Sequence, residues 1–305
     1  MTSISLERIA ERKRKSSLIN FIKRLVKDKP LGAVGAVITL LLLLVGIFAN
    51  YLAPYGMNQS TSSLLAAPSV MHWFGTDNIG RDVLSRVIYG ARISVIVGLA
   101  GSSLAVMTSV IIGMVSGYIG GAFDLVLQRI VDAWMCIPAL IISIVLISII
   151  GPGMWQVTLV VGLNLGVASS RIIRGATMSI KENLYLQAAK ATGCSTPRIL
   201  IHHVLPNIMA PIIILFSTVM PTVILVEASL SFLGFGIPPP AATWGGMLSG
   251  AGRTFMLQAP WIVVWPGLAL SIVVYAVNMF GDALRDLLDP RLMGGSGRYG
   301  VKVKK

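Results

Sequence analysis

Charged residues are scarce in this sequence. Asp, Glu, Lys and Arg make up 12% of its 305 residues, whereas 55% are hydrophobic, and the mean hydropathy is +0.80. Such a chain has too little charge to cover a water-soluble surface, which indicates an integral membrane protein. The formal net charge of +13 does not indicate a nucleic-acid partner, because the basic residues flank apolar runs instead of clustering on a soluble, aromatic-bearing face.

The sequence contains two cysteines and lacks the common nucleotide-binding loop motif. Cys136 and Cys194 lie far apart, so their spacing supports neither a disulfide framework nor a metal site. The adjacent His202 and His203 would point about 100° apart on a helix, which argues against a metal shared by the pair. No G-x-x-x-x-G-K-[ST] loop occurs, so ATP would be bound by another protein. We therefore expect no catalytic residue, cofactor or metal in this chain.

Long charge-free runs predict an all-α protein with six transmembrane helices. Each helix needs about 20 mainly apolar residues, and Gly151-Pro152-Gly153 divides one run that is too long for a single crossing. The predicted spans are Leu31–Ala53, Ile93–Tyr118, Leu125–Ile150, Met154–Ser170, Asn207–Phe235 and Trp261–Phe280. The first span is too long for a signal-peptide core and is interpreted as permanent.

Lysine and arginine are distributed unequally between the two sides of these spans. With the N-terminus inside, 21 of the 25 lie in segments predicted to be cytoplasmic. The four on the other side are Arg81, Arg86, Arg92 and Arg253. Because positively charged loops stay in the cytoplasm, both termini are predicted to be cytoplasmic. The chain then divides into a basic tail (1–30), a first transmembrane helix (31–53), an extracytoplasmic loop (54–91), a transmembrane core (92–283) and a C-terminal tail (284–305).

The cytoplasmic segment Tyr185–Pro206, with the sequence YLQAAKATGCSTPRILIHHVLP, predicts a helix, a turn and a second helix. Leu186–Ala191 consists of good helix formers with a smooth alanine face. Gly193 suits a C-cap or bend. Thr196-Pro197 suits the start of a second helix, which Pro206 is expected to end. The alternative interpretation is an ordinary basic loop.

This segment resembles the EAA loop of ABC importer permeases. The resemblance rests on Ala188-Ala189, on Gly193 four residues later, and on the final Leu205-Pro206. Other stretches resemble the C-type permease subunit of dipeptide, oligopeptide and nickel importers: FGTDNIGRDVLSRVIYGARISVIVG (74–98), LSFLGFGIPPP (230–240), WGGML (244–248) and GDALRDLLDPRL (281–292). The resemblance covers almost the whole chain after residue 30.

This resemblance implies a type I ABC importer permease fold in the bacterial cytoplasmic membrane, surrounded by lipid. A homologous second permease, an extracytoplasmic solute-binding protein and two cytosolic ATPases carrying ATP and Mg²⁺ would complete the transporter. The solute would be a dipeptide or oligopeptide, with a nickel chelate or glutathione as the alternatives. The alternative function is an ion-gradient-driven secondary transporter or channel, which would need acidic residues in several spans or paired broken helices.

The resemblance also implies that the Tyr185–Pro206 segment docks into a groove on an ATPase. The residues that would couple the two proteins are Tyr185, Gln187, Ala188, Ala189, Gly193, Arg198, Leu205 and Pro206. Gln187 stands where the family usually has glutamate. Its amide can form hydrogen bonds but cannot form a charged pair with the partner.

Glu227 is the one acidic residue well inside the fifth apolar run. Ionisable groups in a bilayer usually face a cavity or a polar partner, so one interpretation places Glu227 at the translocation path or its outer gate. Its position near the outer end of the span equally favours an interfacial carboxylate that snorkels to water.

Charge and glycine spacings predict several local contacts. The expected ion pairs are Asp77–Arg81, Asp82–Arg86 and Arg129–Asp132, each spaced three or four residues apart. Gly113, Gly117 and Gly121 recur every four residues, a spacing that favours close packing between membrane helices.

Overall fold

The structure is a computed structural model that describes residues 22–288. Most of the two predicted tails, 1–30 and 284–305, therefore lies outside the described residues. The helices are α1 (22–28), α2 (Pro30–Ile47), α3 (Ala49–Leu52), α4 (Val83–Ile119), α5 (Gly121–Met135), α6 (Ala139–Ile150), α7 (Met154–Lys181), α8 (Leu184–Ala191), α9 (Thr196–Ile199), α10 (Met209–Phe232), α11 (Trp244–Leu248), α12 (Ala251–Phe255) and α13 (Trp261–Leu288).

The predicted membrane spans correspond to long apolar helices. Five helical stretches are long and apolar enough to cross a membrane, and the bent pair α5–α6 makes a sixth if it is counted as one span. This confirms the all-α multi-pass prediction. Several helices extend beyond the predicted spans: α4 begins at Val83 and α7 ends at Lys181. Apolar periodicity marks the membrane segment, whereas turns and caps determine where each helix ends.

The third predicted span is broken. Helix α5 ends at Met135, and α6 leaves it at an angle of 85°. Pro138 accounts for the break, because proline has no backbone N–H and disfavours helical geometry in the residue before it. Buried Asn164 of α7 holds both arms: its side chain accepts a 2.9 Å hydrogen bond from Trp134 and donates one of 2.8 Å to the Ala139 carbonyl.

Helices α4 and α7 approach each other closely through small residues. A Cβ atom at Gly117 would lie 2.8 Å from the Arg174 carbonyl oxygen, and one at Gly166 would lie 2.6 Å from Thr108 Cβ. Such approach lets van der Waals packing hold helices together in lipid. Gly113 also packs on α7, so the prediction is confirmed for Gly113 and Gly117.

The prediction is wrong for Gly121. Helix α4 ends at Ile119, and Gly120 follows with a φ of 71°. This left-handed conformation favours glycine and ends the helix. Gly121 then starts α5, and in the part of the chain that the structure describes no atom lies within 4 Å of the position its Cβ would occupy.

The two ends of the helical bundle differ in charge. One end, here named the basic end, carries Lys29, Lys181 and Arg285, and there Lys29 contacts Asp286 at 2.5 Å to join α2 to α13. At the opposite end, Arg92 donates a 3.0 Å hydrogen bond to the carbonyl of Gly46 near the end of α2. The basic end corresponds to the side predicted to be cytoplasmic.

A folded loop between α3 and α4 covers the opposite end. Asp82 caps α4 by accepting a 2.8 Å hydrogen bond from the Ser85 amide, and its second oxygen lies 2.9 Å from His72 Nδ1. The predicted Asp82–Arg86 pair is therefore wrong: the cap directs Asp82 back to the backbone, and Arg86 instead lies 3.9 Å from Asp77. The predicted Asp77–Arg81 pair is confirmed at 2.7 Å.

Candidate functional site

The segment predicted to couple to an ATPase forms a helix, a turn and a second helix at the basic end. Helix α8 ends at Ala191, and Gly193 follows with a φ of 80°. The amide of Cys194 then donates a 3.1 Å hydrogen bond back to the Ala189 carbonyl. Glycine suits this left-handed position after a helix, as the sequence predicts. Pro197 lies in the first turn of α9, also as predicted.

The second helix does not end at Pro206 as predicted. A π turn at Leu200–Val204 and a 3-10 turn at Leu205–Ile208 lead directly into α10, so residues 196–232 form one helical run. Proline removes one helical hydrogen bond, and these irregular turns rearrange the backbone around it. The second helix is thus the beginning of a membrane span.

The two faces of α8 have different surroundings. Leu186 is 3% exposed and packs into the core together with Ile199, and half-buried Ala189 lies against the same core. On the opposite face Leu184 is 80% exposed, and Ala188 and Ala191 are exposed as well. These three residues, at spacings of four and three, form one stripe, here named the α8 stripe. An exposed apolar stripe of this kind is suited to a protein partner.

The other residues of the predicted coupling set lie in α8 or in the segment that follows it. Tyr185, Gln187, Arg198 and Pro206 are exposed, whereas Leu205 is half-buried against the core. Gln187 also lines a cavity of about 450 Å³ between α8–α9 and the basic ends of α4 and α7. The sequence predicts that Ala188 and Ala189 share one alanine face. In the structure Ala188 is exposed, whereas Ala189 packs against the core.

An ion pair that sequence spacing did not indicate ties α4, α5 and α7 together beside this segment. Arg174 donates hydrogen bonds of 2.7 and 2.5 Å to the two oxygens of Asp124, which also accepts from Ser116. Asp124 and Arg174 are 50 residues apart, so no local pattern could pair them. Similarly, the predicted Arg129–Asp132 pair is confirmed at 3.3 Å, but Arg171 also contacts Asp132.

We expect Asp124→Asn to lower the free energy of unfolding by about 1–3 kcal/mol, because it leaves the Arg174 guanidinium without its charged partner. Thermal unfolding of the detergent-purified protein measures this. Asp132→Asn is the control, since both partners of Asp132, Arg129 and Arg171, are solvent-exposed and such pairs contribute about 0–1 kcal/mol each. An equal loss in both variants would contradict the structural role of the Asp124 pair.

Glu227 lies inside the chain near the end opposite the basic end. It is 1% exposed and accepts a 2.7 Å hydrogen bond from Ser231 Oγ. The snorkelling interpretation does not fit this burial. Ser231 in turn lines a cavity of about 400 Å³ that opens at the same end. Among residues 22–288, no lysine or arginine forms an ion pair with Glu227.

Sequence comparison places these features in a known family. Residues 109–294 match the family described as "Binding-protein-dependent transport system inner membrane component". The chain is 38% identical to the dipeptide transport system permease protein DppC of Alkalihalophilus pseudofirmus, over 88% of each chain. It is 37% identical to the oligopeptide transport system permease protein OppC of Bacillus subtilis, over 87% of each chain. A glutathione transport system permease protein of Pectobacterium atrosepticum is 36% identical, over 89% of this chain and 90% of the relative.

Structural comparison gives the same fold. The chain resembles a solved inward-facing structure of the MetNI methionine ABC transporter with a TM-score of 0.52 and 16% identity, covering 67% of this chain and 96% of the other. The C-type permease resemblance is confirmed, and the relatives are named as permeases and not as enzymes. The chain therefore belongs to the family of binding-protein-dependent transport system inner membrane components, as a multi-pass permease of the bacterial inner membrane with a type I ABC permease fold.

Proposed function

We propose that this chain is the permease subunit of an ATP-driven importer that moves short peptides across the cytoplasmic membrane. The observation that carries the proposal is similarity over nearly nine-tenths of the chain to permeases named for dipeptide and oligopeptide transport. Glutathione, for which another relative is named, is itself a small peptide. A peptide is thus favoured over a nickel chelate.

The proposed transporter contains further subunits. A second, homologous permease would complete the path, two cytosolic ATPases would bind ATP and Mg²⁺, and an extracytoplasmic solute-binding protein would deliver the peptide. The family description, which includes dependence on a binding protein, supports the last of these partners. The basic end would face the cytoplasm, with the tails 1–30 and 284–305 on that side. The first helix (31–53) and the loop (54–91) would precede the permease core (92–283).

The α8 stripe is the proposed docking surface for an ATPase. Leu184, Ala188 and Ala191 are exposed on the face opposite Leu186, which anchors α8 to the permease core. Small side chains allow a groove on the partner to approach the helix backbone. Gln187, at the side of this stripe, would contribute hydrogen bonds without charge. Gly193, Arg198, Leu205 and Pro206 would shape the connection to α10.

The dependence of peptide uptake on ATP distinguishes this proposal from an ion-gradient-driven carrier. The assembled complex, reconstituted in vesicles with its binding protein and a labelled dipeptide, is expected to take up peptide only when ATP reaches the ATPases. An ionophore that collapses ion gradients should leave uptake unchanged. Uptake that needs no ATP and stops with the ionophore would favour the gradient-driven alternative.

Glu227 is proposed to belong to the outer gate, because its partner Ser231 lines the cavity at that end. Glu227→Gln keeps the size of the side chain but removes its charge, so we expect uptake to fall about tenfold, equivalent to about 1.4 kcal/mol, while the complex still assembles. Initial uptake rates and recovery of the subunits measure the two effects. Asp282→Asn, at an exposed acid of the basic end, is the control. Wild-type uptake by Glu227→Gln would exclude Glu227 from the gate.

A further inference from the structure

A cavity of about 400 Å³ opens at the end opposite the basic end. One wall is the segment that precedes and begins α4, and the other consists of the loop after α10 together with α11 and the start of α12. The charged residues of its lining are Asp77, Arg81 and Arg86. The lining thus contains two guanidinium groups and one carboxylate.

The single carboxylate is already occupied by one of the two arginines. Asp77 Oδ2 accepts a 2.7 Å hydrogen bond from Arg81 Nε, and Asp77 Oδ1 accepts from the amides of Ile79 and Arg81 at 3.0 and 2.9 Å. Arg86 Nε lies 3.9 Å from Asp77 Oδ2, which is too long for a hydrogen bond. Asp77 therefore forms its hydrogen bonds with Arg81 and the backbone, and it gives Arg86 a charged contact at 3.9 Å without a hydrogen bond.

Arg86 is buried, with 6% of its surface exposed. Its Nη1 group donates long hydrogen bonds to the Met57 carbonyl at 3.2 Å and to Asn58 Oδ1 at 3.3 Å. Within residues 22–288, no acceptor binds its Nη2 group. Two other buried carboxylates at this end are also engaged: Asp82 accepts from the Ser85 amide and contacts His72, and Glu227 accepts from Ser231. Neither lines the cavity.

A buried guanidinium with so few partners is costly, and an anion in the cavity would offset that cost. A carboxylate fits best, because its two oxygens match the planar fork of donors on arginine. Room is available on the facing wall, where no atom of residues 22–288 is found within 4 Å of the position a Cβ would occupy at Gly250. We propose that this cavity binds the carboxylate group of the transported peptide on its way into the permease, with Arg86 as the principal contact. This inference rests on the proposed function.

The test compares two peptides in the reconstituted complex: one dipeptide with a free C-terminal carboxylate and the same dipeptide with a C-terminal amide. Both are supplied at concentrations that saturate the solute-binding protein, whose affinity for each is measured separately. The wild-type complex is expected to import the free acid about tenfold faster than the amide, as expected for loss of a charge-assisted hydrogen bond. Arg86→Gln should reduce this preference to about twofold or less, chiefly by slowing the free acid.

Arg253→Gln is the matched control, because Arg253 is an exposed arginine at the same end that does not line the cavity. It should retain the preference. A preference unchanged in Arg86→Gln would overturn the inference. An equal slowing of both peptides together with weaker attachment of the solute-binding protein would also overturn it, in favour of a docking contact. If the wild-type complex imports neither peptide with ATP, the proposed function fails instead.

A second measurement does not depend on transport. Ser249 lines the cavity, and Ser249→Cys places a thiol there in a chain that also carries Cys136→Ser and Cys194→Ser. The rates at which anionic and cationic thiosulfonate reagents label this thiol are then measured. The ratio of anionic to cationic rates should fall about fivefold or more when Arg86→Gln is added, because one positive charge leaves the cavity. The Arg253→Gln control should leave the ratio unchanged. An unchanged ratio with Arg86→Gln would show that Arg86 does not act on the cavity.

Discussion

Ala188→Arg is expected to release the ATPases from the permease while the chain stays folded in the membrane. Ala188 is exposed in the middle of the α8 stripe, so residues 22–288 leave room there for a long side chain. In a groove shaped for alanine it would overpack the contact by about 1–3 kcal/mol. Attachment of the ATPases should weaken about tenfold or more, and peptide uptake should fall with it. Co-purification of the ATPases and uptake in the same membranes measure both effects.

The control for this prediction is Ala122→Arg. Ala122 is also an exposed alanine, and it lies in α5 just after the basic end of α4, outside the Tyr185–Pro206 segment. It should leave ATPase recovery and uptake unchanged. Ala189→Arg is a poorer test, because half-buried Ala189 packs on the core of this chain and its replacement would disturb the permease itself. Normal recovery and normal uptake with Ala188→Arg would exclude the α8 stripe as the docking surface.

Gly166→Leu is expected to prevent α4 and α7 from packing together. A Cβ atom at this position would lie 2.6 Å from Thr108 Cβ and 2.8 Å from the Ala105 carbonyl oxygen, and backbone atoms cannot move aside as a flexible side chain can. Because close helix packing replaces the hydrophobic effect in lipid, separating the helices should cost about 3 kcal/mol or more. Little folded protein should be recovered in detergent, and its thermal midpoint should fall.

Gly175→Leu provides the comparison within the same helix. No described residue places an atom within 4 Å of the position its Cβ would occupy, so leucine is accommodated and replaces a glycine in a helix interior. The thermal midpoint should stay the same or rise, since glycine is less favourable in helices than leucine by about 0.5–1 kcal/mol. Equal losses in both variants would show that the effect of Gly166→Leu does not arise from the α4–α7 contact.

The membrane spans and the helix, turn and helix at the basic end could be predicted from sequence because their signals are local. Charge-free runs mark the spans, and Gly193 marks the turn by its left-handed conformation. The outcome at Asp82 shows where local reasoning fails. Spacing alone pairs it with Arg86, but the orphan amides at the start of α4 compete for the same carboxylate.

Contacts between distant segments could not be predicted from one sequence. The pairing of Asp124 with Arg174, and the attachment of the α5–α6 break to Asn164, depend on how whole helices pack. The same holds for the two alanines of α8. Their helix propensities are the same, so the sequence does not distinguish them. Because Leu186 inserts into the core, Ala188 lies on the exposed face and Ala189 on the packed one.

The helical run over residues 196–232 has the proportions of an unequal lever. Its irregular turns at Leu200–Val204 and Leu205–Ile208 lie where the cytoplasmic segment enters the membrane span, and they divide the run into two arms that would rotate together about this point. From Val204, the short arm back to Thr196 is about 12 Å long and the long arm forward to Phe232 is about 42 Å, at 1.5 Å per residue. A displacement of about 1 Å at the docking segment would therefore move the far end, next to Glu227 and Ser231, by roughly 3–4 Å.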